Sequence, residues 1–109
     1  MRVAGLDQIL REFQDGLKEI YGSRLVRVVL FGSQARDDAE PGSDIDVMLV
    51  LQGPVNPHKE IERLSSFTLA LDLKHDVVIS CIYMSEEDFN HERSPLMLNV
   101  RREGVWCEA

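Results

Sequence analysis

The sequence predicts an α/β fold: a small mixed β-sheet with helices packed on it. Three observations carry this. Val26–Phe31 and Ile45–Leu51 are short runs of β-branched and bulky apolar residues bounded by Gly, Ser, Asp or Pro, the composition of buried strands. Segments with helical spacing of apolar residues lie before and after the pair. A third apolar run, Val77–Ile82, follows the second of these helices. A strand–helix–strand connection within one sheet normally leaves its strands parallel, through a right-handed crossover. At 109 residues the chain suffices for one domain, 1–109, and is too short for two.

The first helix is expected over residues 5–21. Leu6, Ile9, Leu10, Phe13, Leu17, Ile20 and Tyr21 fall on one stripe, and Gly22 suits the left-handed residue that ends a helix. Strand one covers 24–31. Gly32 stops it, and Ser33–Arg36 reads as a first helical turn. A polar loop with a Pro-Gly turn, 37–43, leads to strand two at 44–51. Asn56 is an N-cap and Pro57 a first helical residue, so a second long helix runs to about Leu73, with Ile61, Leu64, Thr68 and Leu71 as its buried stripe. Strand three begins at Asp76. Ser85 caps an acidic turn. Ser94-Pro95 opens a last helix with Arg101 and Arg102 at its negative end and Gly104 beyond it. In the apolar tail Val105–Cys107, Trp106 either packs on the domain or anchors a partner.

Composition excludes several classes. The chain is 44% apolar and 28% charged, ordinary for a globular protein. No apolar run is long enough to span a membrane, and the N-terminus turns polar too early for a signal peptide, so the cytoplasm is the expected location. A net charge of −7 argues against a general grip on nucleic acid, which needs clustered lysine and arginine. It suits divalent cations and a basic protein partner. Cys81 and Cys107 lack zinc-ligand spacing and are expected unpaired in a reducing compartment. His58, His75 and His91 are scattered and expected at surfaces or helix ends.

The chemistry concentrates in two motifs. A strand that stops at Gly32-Ser33 and turns into a helix points backbone N–H groups and a positive dipole end outward, which suits phosphate. A side chain at position 32 would block that approach. Asp44 and Asp46 are two residues apart, so on a strand both face one side, roughly 6.6 Å apart along the backbone. Ile45, Val47, Leu49 and Leu51 face the other side, toward a core. Two neighbouring carboxylates repel unless a cation lies between them. Their hard oxygens suit Mg²⁺ or Mn²⁺, which complete their shells with water and substrate phosphates. If strands two and three are parallel neighbours, Asp76 comes to the same end as this pair. Ser43 either closes its turn or touches a phosphate.

Gly32-Ser33, ten residues, then Asp44-x-Asp46 resembles the Gly-Ser…Asp-x-Asp signature of polymerase-β-type nucleotidyltransferases. The fuller Gly-Ser-x-Ala-Arg…Gly-Ser-Asp-Ile-Asp run is similar to the minimal nucleotidyltransferases, antitoxin partners of HEPN-domain ribonuclease toxins. One departure is Asp37, where many relatives have glycine, which sets a negative charge near the phosphates. The resemblance implies that Gly32, Ser33, Arg36 and Ser43 bind ATP, and that Asp44, Asp46 and Asp76 are catalytic and hold Mg²⁺ (or Mn²⁺). The implied acceptor is a tyrosine of the HEPN toxin, which receives AMP, since the core leaves no further domain to bind one. Two other functions stay open: an antitoxin that acts by binding only, and nucleotidyl transfer to a small metabolite such as an aminoglycoside.

Overall fold

Strand β2 (Ile45–Leu51) is the centre of the molecule because its apolar run is continuous. Every side chain from Val47 to Leu51 is fully buried, the mark of a strand covered on both faces. The computed structural model describes residues 5–36 and 44–107. These form α1 (Leu6–Tyr21), a 3₁₀ turn (Gly22–Arg24), β1 (Leu25–Phe31), α2 (Gly32–Arg36), β2, α3 (Pro57–His75), β3 (Ile79–Ser85), α4 (Glu86–His91), α5 (Pro95–Glu103) and β4 (Val105–Cys107). The sheet order is β3-β2-β1-β4. β1 is antiparallel to β2 and β4, and β2 is parallel to β3, so the sheet is mixed as expected. Among the described residues no helix is long and apolar enough to cross a membrane.

Alternation along β2 sends its residues to two cores. Ile45, Val47, Leu49 and Leu51 pack with α1 and α3 through Ile9, Phe13, Leu17 and Leu64. Met48 and Val50, on the Asp46 side, pack with Val29 and with Phe89, Met97 and Val100 of α4 and α5. The caps are those expected. Asn56 Oδ1 accepts from His58 N (3.1 Å) and Lys59 N (3.4 Å), Ser85 Oγ from Asp88 N (3.1 Å) and Ser94 Oγ from Met97 N (3.3 Å).

Three expectations need correction. Ile61 is 53% exposed, and α3 instead turns Glu60, Leu64 and Leu71 inward. Both stripes have helical spacing, and Glu60 wins the inner place because it has partners there. Tyr21 Oη donates to Glu60 Oε1 at 2.9 Å, while Arg24 and Arg63 lie 3.7 and 3.6 Å from the Glu60 carboxylate oxygens. A buried carboxylate needs such company. On α1, Ile20 is exposed and Gln14 is buried instead. Finally, β3 begins at Ile79, three residues after Asp76, because α3 runs on to His75. Cys81 and Cys107 are free. Trp106 is 55% exposed on edge strand β4, with the Arg27 guanidinium 3.6 Å from its ring centre.

The Glu60 cluster ties the end of α1 to α3 and yields a stability prediction. Tyr21→Phe removes one hydrogen bond to a buried carboxylate and should cost about 1.5–3 kcal/mol in urea unfolding. An unchanged midpoint would mean that the two arginines alone satisfy Glu60.

Candidate active site

The two sequence motifs meet where β1 ends. Phe31 pairs with Asp46 across the antiparallel ladder, and the next residue, Gly32, turns the chain with φ +72°. A Cβ at Gly32 would run into the Asp46 carboxylate. The glycine therefore serves two ends: it adopts a left-handed conformation that side chains resist, and it clears space for the acid. The close neighbour it makes room for is Asp46, where the sequence suggested only a phosphate. Ser33, half-buried, lies in the first turn of α2.

Asp44 is exposed just before β2, and Asp46 is half-buried one step inside it. The Asp46 pKa is raised, first by burial and then by the charge of Asp44; the Arg36 guanidinium works in the opposite direction. Two hard-oxygen donors, one partly desolvated and both repelling, fit a divalent cation, which would remove the repulsion. Arg36 ends α2 and its Nη1 lies 3.3 Å from Glu103 Oε2 on α5. The sequence carried no signal for that pairing, which spans 67 positions. Ser43 and Asp37 lie outside the described residues.

Asp76 stands at the expected end of the sheet, in a turn off the strand. It follows α3 with φ 53° and ψ 52°, and its N–H bonds to Asp72 O. Val77 N also donates to Asp72 O (3.1 Å), a Schellman-type close in which glycine is the usual left-handed residue. Asp72 Oδ1 then accepts from Ile79 N at 3.0 Å, so one aspartate ends the helix and starts β3. Register sets Asp46 opposite Ser80, which puts Asp44 level with Val78 and Asp76 two residues further out. Among the described residues, no three His, Cys, Asp or Glu side chains form a group that could hold a metal ion. Asp76 is the one non-glycine among them with positive φ.

These placements carry a local cost, and the cost predicts the sign of two substitutions. A carboxylate whose folded pKa is raised opposes folding at neutral pH, and the opposition fades as pH falls through that folded pKa toward 3.8. Asp46→Asn should therefore raise the melting temperature of the nucleotide-free protein at pH 7, with the difference shrinking on acidification. Asp76→Gly should also raise it, by relieving the left-handed backbone. By contrast, Gly32→Ala should destabilise by about 1 kcal/mol or more, from conformation alone. Thermal melts across pH check all three; a lower melting temperature for Asp46→Asn would show that the pair is already compensated inside the fold.

Known proteins resemble the chain in sequence and in fold. The model of the family described as "Nucleotidyltransferase domain" matches residues 10–98, a span that takes in Gly32, Ser33, Asp44, Asp46 and Asp76. "Putative protein adenylyltransferase MJ0604" of Methanocaldococcus jannaschii is 38% identical over 84 residues, covering 77% of this chain and 78% of that protein. A chain of a toxin–antitoxin crystal structure with AMP-PNP superposes with TM-score 0.62 at 18% identity, over 88% of this chain and 69% of its own. A chain from a mutant of the toxin–antitoxin complex MntA-HpeT gives 0.55 at 16%, over 92% and 69%. At those identities the two structures share the fold, which is the polymerase-β-like one. The sequence matches go further, and by them the chain belongs to the nucleotidyltransferase domain family.

Proposed function

We propose that this nucleotidyltransferase moves AMP from ATP onto a tyrosine hydroxyl of a partner protein, a toxin of HEPN type. The observation that supports the proposal is the placement of Asp46, two residues from Asp44, against the Gly32 turn, where the acid pair would hold a cation beside a backbone that would hold phosphate. The name of the 38% identical relative supports protein as acceptor. The AMP-PNP complex among the structural neighbours supports an adenosine triphosphate as donor, and its being a toxin–antitoxin complex supports a toxin as partner. The HEPN class and the tyrosine follow from the resemblance of the Gly-Ser…Asp-x-Asp run to the minimal antitoxins.

In this reading the backbone at Gly32 and Ser33 holds the β- and γ-phosphates, with Arg36 and Ser43 adding donors. Asp44 and Asp46 would hold Mg²⁺, which when bound would supply positive charge to the triphosphate. The acceptor oxygen attacks the α-phosphorus, the bond from that phosphorus to the bridging oxygen breaks, and pyrophosphate leaves. A tyrosine hydroxyl, with a pKa near 10, must lose its proton on the way, and Asp76 is the residue assigned to receive it. Catalysis of this kind is mostly positioning and electrostatics, which a small domain can provide.

The test mixes the protein with the product of the neighbouring gene, Mg²⁺ and ATP labelled at the α-phosphate. Label and an AMP-sized mass increment should appear on the partner, and Asp44→Asn and Asp46→Asn should each abolish them. Asp76→Asn should slow transfer by roughly 10²-fold or more, the range for a lost proton acceptor. Neutralisation of the toxin by these variants without any mass change would mean an antitoxin that acts by binding. Label on an aminoglycoside in the absence of partner would assign a small-molecule acceptor.

A further inference from the structure

The last turn of α5 reaches the candidate site. Gly104 follows it, and a Cβ there would collide with Val100 O of α5 and come within 2.7 Å of Val29 Cγ1, so the glycine lets the helix end close to β1. That seating brings Glu103 to Arg36, with Oε2 3.3 Å from Nη1, while Glu103 Oε1 lies 3.6 Å from Arg102 Nη2. Arg36 in turn ends α2, the short helix whose first residue, Gly32, abuts the Asp46 carboxylate. Glu103 thus reaches the helix that opens beside Asp46. It also lies beyond residues 98, where the family match stops.

We propose that Glu103 is a positioning residue, which holds the Arg36 guanidinium in one rotamer at the edge of the site so that it meets the triphosphate of the incoming nucleotide. The proposal rests on the nucleotidyl-transfer reading. An exposed arginine surrenders considerable rotamer freedom when it binds a phosphate. A carboxylate that fixes the side chain beforehand removes part of that cost from the binding step. The guanidinium has five N–H donors in a rigid fork, and Glu103 accepts at Nη1. Glu103 also divides its charge with Arg102, which limits its competition with phosphate for Arg36.

Equilibrium binding of AMP-PNP with Mg²⁺ tests this, beside melting temperatures for each variant. Glu103→Ala should weaken binding about three- to tenfold, the range for ordering one long side chain during binding instead of before it. Glu103→Gln, which keeps an acceptor oxygen in the same place, should recover part of the loss, and it serves as the primary variant if alanine unfolds the chain. In an Arg36→Ala background neither change should have further effect. The KM for ATP in the transfer assay should rise with kcat unchanged. Unchanged or tighter binding by Glu103→Ala would overturn the proposal, the tighter result identifying Glu103 as a competitor of phosphate. An equal loss in the Arg36→Ala background would overturn it in favour of a general role in seating α5. If the unaltered protein fails to bind AMP-PNP, the nucleotide reading and this proposal fall together; if it binds and only the Glu103 expectation fails, the nucleotide reading stands.

Discussion

The close approach of Gly32 to Asp46 is the constraint on which the site depends. It follows from one register: Phe31 opposite Asp46 in an antiparallel ladder, with the chain turning at the very next residue. A shift by one position would flip every side chain of the strand to the other face. Asp46 would then leave the turn, and Ile45, Val47, Leu49 and Leu51 would leave their core. Apolar packing thus fixes the register, and the register brings the turn and the acid together. The polar chemistry relies on a placement that hydrophobic burial supplies.

Covering β2 on both faces has a second consequence. The core built by Phe89, Met97 and Val100 lies on the Asp46 side of the sheet. It packs Met48 and Val50 and reduces the water around the strand that carries the acid. Burial is the first cause of the raised Asp46 pKa and the neighbouring Asp44 the second. Hence α5 does more than close the fold: its end supplies the ion-pair partner of Arg36.

The acidic residues divide by how they are treated. Glu60 is buried but accepts a hydrogen bond from Tyr21 and lies near two arginines. Glu12 is bonded by Lys74 and His75 across the α1–α3 interface, and its pKa is lowered, first through the bond to Lys74. Both serve the fold. Asp46 is held near a like charge, and Asp76 in a backbone conformation better suited to glycine. Groups kept at a local cost, beside one turn and one sheet end, are the pattern expected where function competes with stability.

The sequence alone determined most of the elements and the two motifs, while Val105–Cys107, read as an apolar tail, pairs with β1 as β4. Helix stripes, the capping residues Asn56, Ser85 and Ser94, and the apolar runs of β1 and β2 are local signals, because spacing and propensity act over a few residues. Gly32-Ser33 and the Asp44–Asp46 pair were legible for the same reason. The resemblance added the family and the fold. What depended on distant partners was decided only by tertiary structure. Glu60 displaced Ile61 from the inner face of α3 because Tyr21, 39 positions away, donates to it. Asp76 became a helix-end residue because α3 continued to His75 and Asp72 took the bonds of the turn. Glu103 met Arg36 because Gly104 allowed α5 to close on β1. Each is a contact between segments far apart in the chain, and its energy depends on a geometry that residue order does not specify.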